Sequence, residues 1–152
     1  MEEFQTFLDL YPYTTLKDKA QEMVFAMQDK LVEKECLSAK LYYDLGTYLL
    51  NSLYGGSNYE ACVVTAQNAL RDYPYASPEK RELLSILILR AKYQLAMKSV
   101  EEKRIERFRD TIDEYYAFEN DFPESKYLKE AKGIFHNAEN FVKRKNLNLE
   151  ED

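Results

Sequence analysis

A chain of 152 residues, 45% hydrophobic and 32% charged, fits one globular domain able to bury about 68–70% of its unfolded surface. Its net charge of −6 argues against nucleic acid as a partner, since that binding depends on neutralising phosphates with Lys and Arg. No run of residues approaches the ~20 apolar positions needed to span a bilayer, and four glycines with four prolines leave little material for hairpins, which disfavours strands.

Met1 leads straight into a helical pattern already in progress, with no signal sequence ahead of it. Residues 1–12 therefore read as the second helix of a repeat whose first helix lies in an expected upstream portion. Tyr11-Pro12 ends that helix, because proline lacks a backbone donor and pushes its predecessor out of the α region. Thr14 or Thr15 can cap the next helix, in which Leu16, Ala20, Met23, Val24, Met27 and Leu31 share one face. Leu37, Leu41, Tyr42, Leu45, Tyr48 and Leu49 continue the spacing, so either one long helix or two joined near Lys34 satisfies residues 14–50. The segment Tyr54-Gly55-Gly56-Ser57-Asn58 predicts a turn, and Tyr59 to Asp72 predicts the partner helix.

Tyr73-Pro74 ends that helix in turn. Ser77 offers an N-cap oxygen and Pro78 stands at the first helical position, where its missing donor costs nothing. The run LLSILIL from Leu83 to Leu89 predicts a helix covered on most sides, reaching about Ser99. Glu101 to Glu119 predicts its partner, with Ile105, Phe108, Ile112, Tyr115 and Phe118 as the buried stripe and Glu106, Arg107, Arg109 and Asp110 solvated. After Phe122-Pro123, Ser125 caps a last helix with Tyr127, Ala131, Ile134, Phe135, Ala138 and Phe141 on one face. Its basic run, Lys143-Arg144-Lys145, suits a helix C-terminus, and fraying is expected beyond Lys145.

The three aromatic-proline corners share a spacing. Phe4 and Phe7 precede Pro12 at the offsets by which Ala66 and Ala69 precede Pro74 and Tyr115 and Phe118 precede Pro123. Repeats are the reading: an all-α solenoid of stacked antiparallel helix pairs in one domain, with a remnant at 1–12, central repeats at 14–74 and 78–123, and a C-terminal helix at 125–145.

Between Leu41 and Pro74 the residues resemble the tetratricopeptide pattern, with Gly46 in the small slot of the first helix, Tyr59, Cys62, Ala66 and Ala69 in the second-helix slots, and Pro74 closing. Gly133 falls in the small slot of a following unit. The sequence Lys40-Leu41-Tyr42-Tyr43, then Gly46, then Leu70-Arg71-Asp72-Tyr73-Pro74 resembles the BamD (YfiO) family of outer-membrane assembly lipoproteins. That resemblance covers essentially the whole chain. It implies a periplasmic scaffold, held at the outer membrane by an N-terminal lipid absent from this chain. The implied partners are the barrel-assembly subunit, other assembly lipoproteins and unfolded outer-membrane proteins. Thr65 stands where family members often carry an arginine, so no interface residue is carried over. The alternative is another periplasmic repeat adaptor, in cell-envelope or division coordination.

Stacked pairs make a wall from their first helices, and around Gly46 its open slots are Lys40, Tyr43, Thr47 and Leu50. A tyrosine and a leucine among polar residues suit a peptide partner; the competing expectation is that Tyr43 packs on the preceding helix. Tyr43 and Thr47 also fill the slots where a basic-and-amide clamp for a terminal carboxylate would sit. No catalytic, cofactor or metal constellation is legible. His136 is the sole histidine, no Cys-x-x-Cys or phosphate loop is present, and the carboxylates are spaced like helix surface. Cys36 lies ten residues before Gly46, roughly 15 Å along a helix, and Cys62 is expected near Gly46. That separation exceeds the ~7 Å limit for a bridge, so two free thiols are expected and the compartment stays undecided.

Overall fold

A computed structural model describes residues 2–47 and 56–150. Six helices follow in order: α1 (Glu2–Leu10), α2 (Lys17–Thr47), α3 (Gly56–Asp72), α4 (Pro78–Lys98), α5 (Glu101–Asp121) and α6 (Leu128–Glu150), with no strand among the described residues. Each helix packs on the next, giving the all-α helical-repeat solenoid that the corner spacing predicts. The open question over residues 14–50 resolves to one 31-residue helix, α2, as far as Thr47. Leu50, Tyr48, Leu49 and Tyr54-Gly55 lie outside the described residues, as does the side chain of Phe4. The turn expected through Asn58 ends earlier, since α3 already starts at Gly56.

The corners repeat in their hydrogen bonds as well as in their sequence. Tyr11 N donates to Phe7 O (2.9 Å) and Thr14 N to Tyr11 O (3.2 Å); Phe122 N donates to Phe118 O (2.9 Å) and Ser125 N to Phe122 O (3.1 Å). Tyr73 N to Ala69 O (3.0 Å) and Ala76 N to Tyr73 O (3.1 Å) complete the set. Thr14 Oγ1 accepts from Leu16 N at 3.3 Å and Ser125 Oγ from Tyr127 N at 3.0 Å, so both hydroxyls satisfy a donor that a helix start leaves free. The central corner differs. Ser77 holds the N-cap position but its side chain makes no cap bond. Asp29 Oδ1, reaching over from α2, accepts from Ser77 N at 3.0 Å instead.

The core is organised on α4. Its Leu84, Leu87, Ile88, Ala91 and Leu95 join Val32, Cys36, Ala39, Tyr59, Cys62, Ala66 and Ala69 in one buried cluster between α2 and α3. Its Ile86 and Leu89 join Tyr115, Phe118, Ala131 and Ile134 in a second, on the α5–α6 side. A helix apolar all round is thereby covered on both sides, and each fully buried Leu or Ile contributes about 2 kcal/mol. In α5 the buried stripe is Phe108, Thr111, Tyr115 and Phe118, while Ile105 and Ile112 are only half-buried. α6 continues past Lys145 to Glu150 instead of fraying there.

Two further sequence expectations, on α2 and on Gly133, are corrected. In α2 the buried line is Ala20, Val24, Gln28, Val32, Cys36 and Ala39, whereas Met23, Met27, Leu31, Leu37, Leu41 and Leu45 are exposed, as is Leu16 just ahead of the helix. The apolar side chains exceed what α1, α3 and α4 cover. Gly133 is also exposed, and a Cβ there would meet nothing within 4 Å. No helix follows α6 among the described residues to occupy the small slot.

Candidate functional site: the inner helical wall

Among the described residues, the backbones of α2 and α4 and of α4 and α6 pack closely, while α1 packs on neither α3 nor α5, and α3 and α5 meet only through the long side chains of Glu60 and Arg107, 3.3 Å apart. Helices that crowd in one layer and spread in the other bend the stack, so α2, α4 and α6 line its inner side. The predicted residues fall on α2 at i, i+3 and i+7, one face of the helix. Lys40 and Thr47 are exposed and Tyr43 is half-buried. The Thr47 hydroxyl donates to Tyr43 O at 2.9 Å, within its own helix. Tyr43 sets its ring edge-to-face on Tyr59 of α3, centroids 5.7 Å apart, so its packing partner is the following helix and not the preceding one. Burial pushes its hydroxyl above the ordinary value, and the positive charge of Arg90 opposes that push.

Below Tyr43 the end of α2 is pinned. Lys98 Nζ donates to Gly46 O at 3.0 Å and to Tyr59 Oη at 3.1 Å, placing a cation on a carbonyl near a helix C-terminus. The atoms nearest a Cβ on Gly46 belong to the Tyr59 ring, so Tyr59 and not Cys62 fills the space there.

Further along the wall, Arg90 of α4 grips Glu130 of α6 with both nitrogens, Nε to Oε1 at 2.6 Å and Nη2 to Oε2 at 2.7 Å. Its guanidinium also lies over the Tyr127 ring, 5.3 Å from the centroid. The bond to Glu130 raises Arg90 above its ordinary value. Asn137 Nδ2 donates to Tyr93 Oη at 3.3 Å across the same two helices. Arg90, Glu130, Tyr93 and Asn137 were not anticipated from the sequence, because each pairing spans some forty residues. The one local signal was a lone arginine closing the apolar run of α4. With Glu130 in its fork, Arg90 offers no open seat for a terminal carboxylate.

His136 is exposed, its ring 5.4 Å from that of Phe135, and no group of three or more His, Cys, Asp or Glu among the described residues is placed to hold a metal. Cys36 and Cys62 are both free and buried. Burial raises their thiols to about 11 and about 12, so both are protonated at neutral pH and behave as small apolar side chains. No helix among the described residues is long and apolar enough to cross a membrane. The wall offers aromatic faces, an exposed lysine and a neutralised ion pair on the alternate helices α2, α4 and α6. No protein-family model matches the chain, and no curated protein matches it.

Proposed function

We propose that the chain is a non-enzymatic scaffold of the outer-membrane β-barrel assembly machinery, acting on the periplasmic face of the outer membrane. Its inner wall binds the periplasmic domains of the barrel-assembly subunit and extended segments of unfolded outer-membrane proteins. A lipid on an upstream segment supplies the membrane attachment. The observation that carries the reading is the pairing of a helical-repeat wall bearing Lys40, Tyr43 and Thr47 with the Lys40-Leu41-Tyr42-Tyr43, Gly46 and Leu70-Arg71-Asp72-Tyr73-Pro74 pattern. The same wall serves the alternative, a periplasmic adaptor in envelope or division coordination.

The test is a pull-down from outer-membrane extracts with the intact chain and with Lys40→Glu/Thr47→Arg, both exposed positions. The intact chain should retain the barrel-assembly subunit, and the double variant should lose most of it. Absence of that subunit from the wild-type bound fraction rejects the proposal, and retention of a division or cell-wall protein in its place selects the alternative.

A further inference from the structure

Apart from its inner face, α2 carries a second, unused one. Lys19, Met23, Met27, Lys30, Lys34, Leu37 and Leu41 follow one another at steps of three and four residues, which lays them in one stripe along the helix. At about 100° of rotation per residue this stripe lies opposite the buried line through Val24, Gln28, Val32 and Cys36. Met23, Leu37 and Leu41 are 51%, 66% and 57% exposed, far from the core positions that their periodicity suggests. At its N-terminal end the stripe runs into an open apolar cavity of about 380 Å³ between α1 and α2, lined by Phe7, Leu16, Ala20 and Met23 with Glu3 and Lys19 at the rim.

Charge selects the occupant. The chain as a whole carries −6, yet the stripe holds three lysines and no carboxylate. None of Lys19, Lys30 and Lys34 has an ion pair among the described residues, whereas the acidic neighbours Asp29 and Glu33 turn the other way, to Lys80. A second copy does not fit: parallel or antiparallel, its own Lys30 and Lys34 would face these two. An anionic lipid surface would be repelled by the rest of the molecule. A separate helix with an apolar ridge flanked by carboxylates meets both the leucines and the lysines.

We infer that this stripe of α2 is a docking site for an acidic amphipathic helix of a partner protein, separate from the inner wall. The probes are two synthetic helical peptides of roughly 20 residues with the same leucine ridge, one flanked by Glu and one by Lys. Fluorescence anisotropy at low salt should show the Glu-flanked peptide binding about tenfold tighter or better. Leu37→Glu/Leu41→Glu should abolish that binding with the far-ultraviolet circular dichroism unchanged, since both side chains are exposed. Lys30→Glu/Lys34→Glu should reverse the preference towards the Lys-flanked peptide, while Lys40→Glu/Thr47→Arg on the inner wall should leave it intact. Failure of both peptides to bind, equal binding of the two, or binding untouched by the stripe variants overturns the inference. So does self-association lost in Leu37→Glu/Leu41→Glu, or preferential binding to anionic vesicles.

Discussion

At Gly46 a Cβ would stand 2.7 Å from Cε1 of Tyr59, closer than real side chains approach, and the ring that must yield is itself fully buried. The tyrosine cannot swing aside without leaving the Tyr43 ring and the Lys98 ammonium that hold it. Gly46→Ala should therefore destabilise the chain by about 1–3 kcal/mol, the usual cost of forcing a methyl group into a filled interior. Gly133 offers the control. It also sits inside a helix, but the space beyond it is open, so Gly133→Ala should stabilise by about 1 kcal/mol through helix propensity alone. Urea midpoints of the two variants check this, and equal shifts of one sign would refute the distinction. Both glycines match the small slot in the sequence pattern; only the one with a neighbour needs it.

The same division between local and distant causes runs through the elements. The corners at Pro12, Pro74 and Pro123 are legible in the sequence because a proline and a hydroxyl act on residues two to four positions away. The α2 face is not, because periodicity shows that Met23, Met27 and Leu31 share a side but not whether a neighbour covers it. Ser77 stands between these cases: its position as N-cap is local, but the group that caps it is Asp29, carried in by α2. Lys80 closes the arrangement, donating to Asp29 O at 2.8 Å and to its carboxylate. That bond holds the Asp29 carboxyl below its ordinary 3.8 and the Lys80 ammonium above its ordinary 10.5. Asp29→Ala should cost about 1 kcal/mol near neutral pH, as loss of an N-cap does. For the carboxylate, stability is present above its unfolded value and lost as pH falls through the lower folded one; for the ammonium it is present below the unfolded value and lost as pH rises through the higher folded one. The gap between wild type and variant should thus be widest at neutral pH, closing in strong acid and again in strong base. Denaturation midpoints across that range test it, and a gap that persists unchanged in strong acid would remove Asp29 from this role.

Across the whole molecule, stability should follow the number of neighbours each helix has, because helices in a stack interact only with those beside them. α4 touches α2, α3, α5 and α6 and supplies buried side chains to both large clusters, so its amides should open only when the whole chain unfolds. Among the described residues α1 touches α2 alone and leaves an apolar cavity at that contact, so it should open at a small fraction of the global free energy. α6 lies between these limits: it rests on α5 and α4 and is tied to them by Arg90–Glu130 and Lys145–Glu101. Native-state hydrogen exchange should therefore rank α4 slowest and α1 fastest, with α6 intermediate. Arg90→Ala should speed exchange in α6, where it unties Glu130, and leave α1 unchanged at the far end of the stack. Equal protection of α1 and α4, or a response to Arg90→Ala that reaches α1, would mean that the chain opens as a single unit and that the layered picture fails.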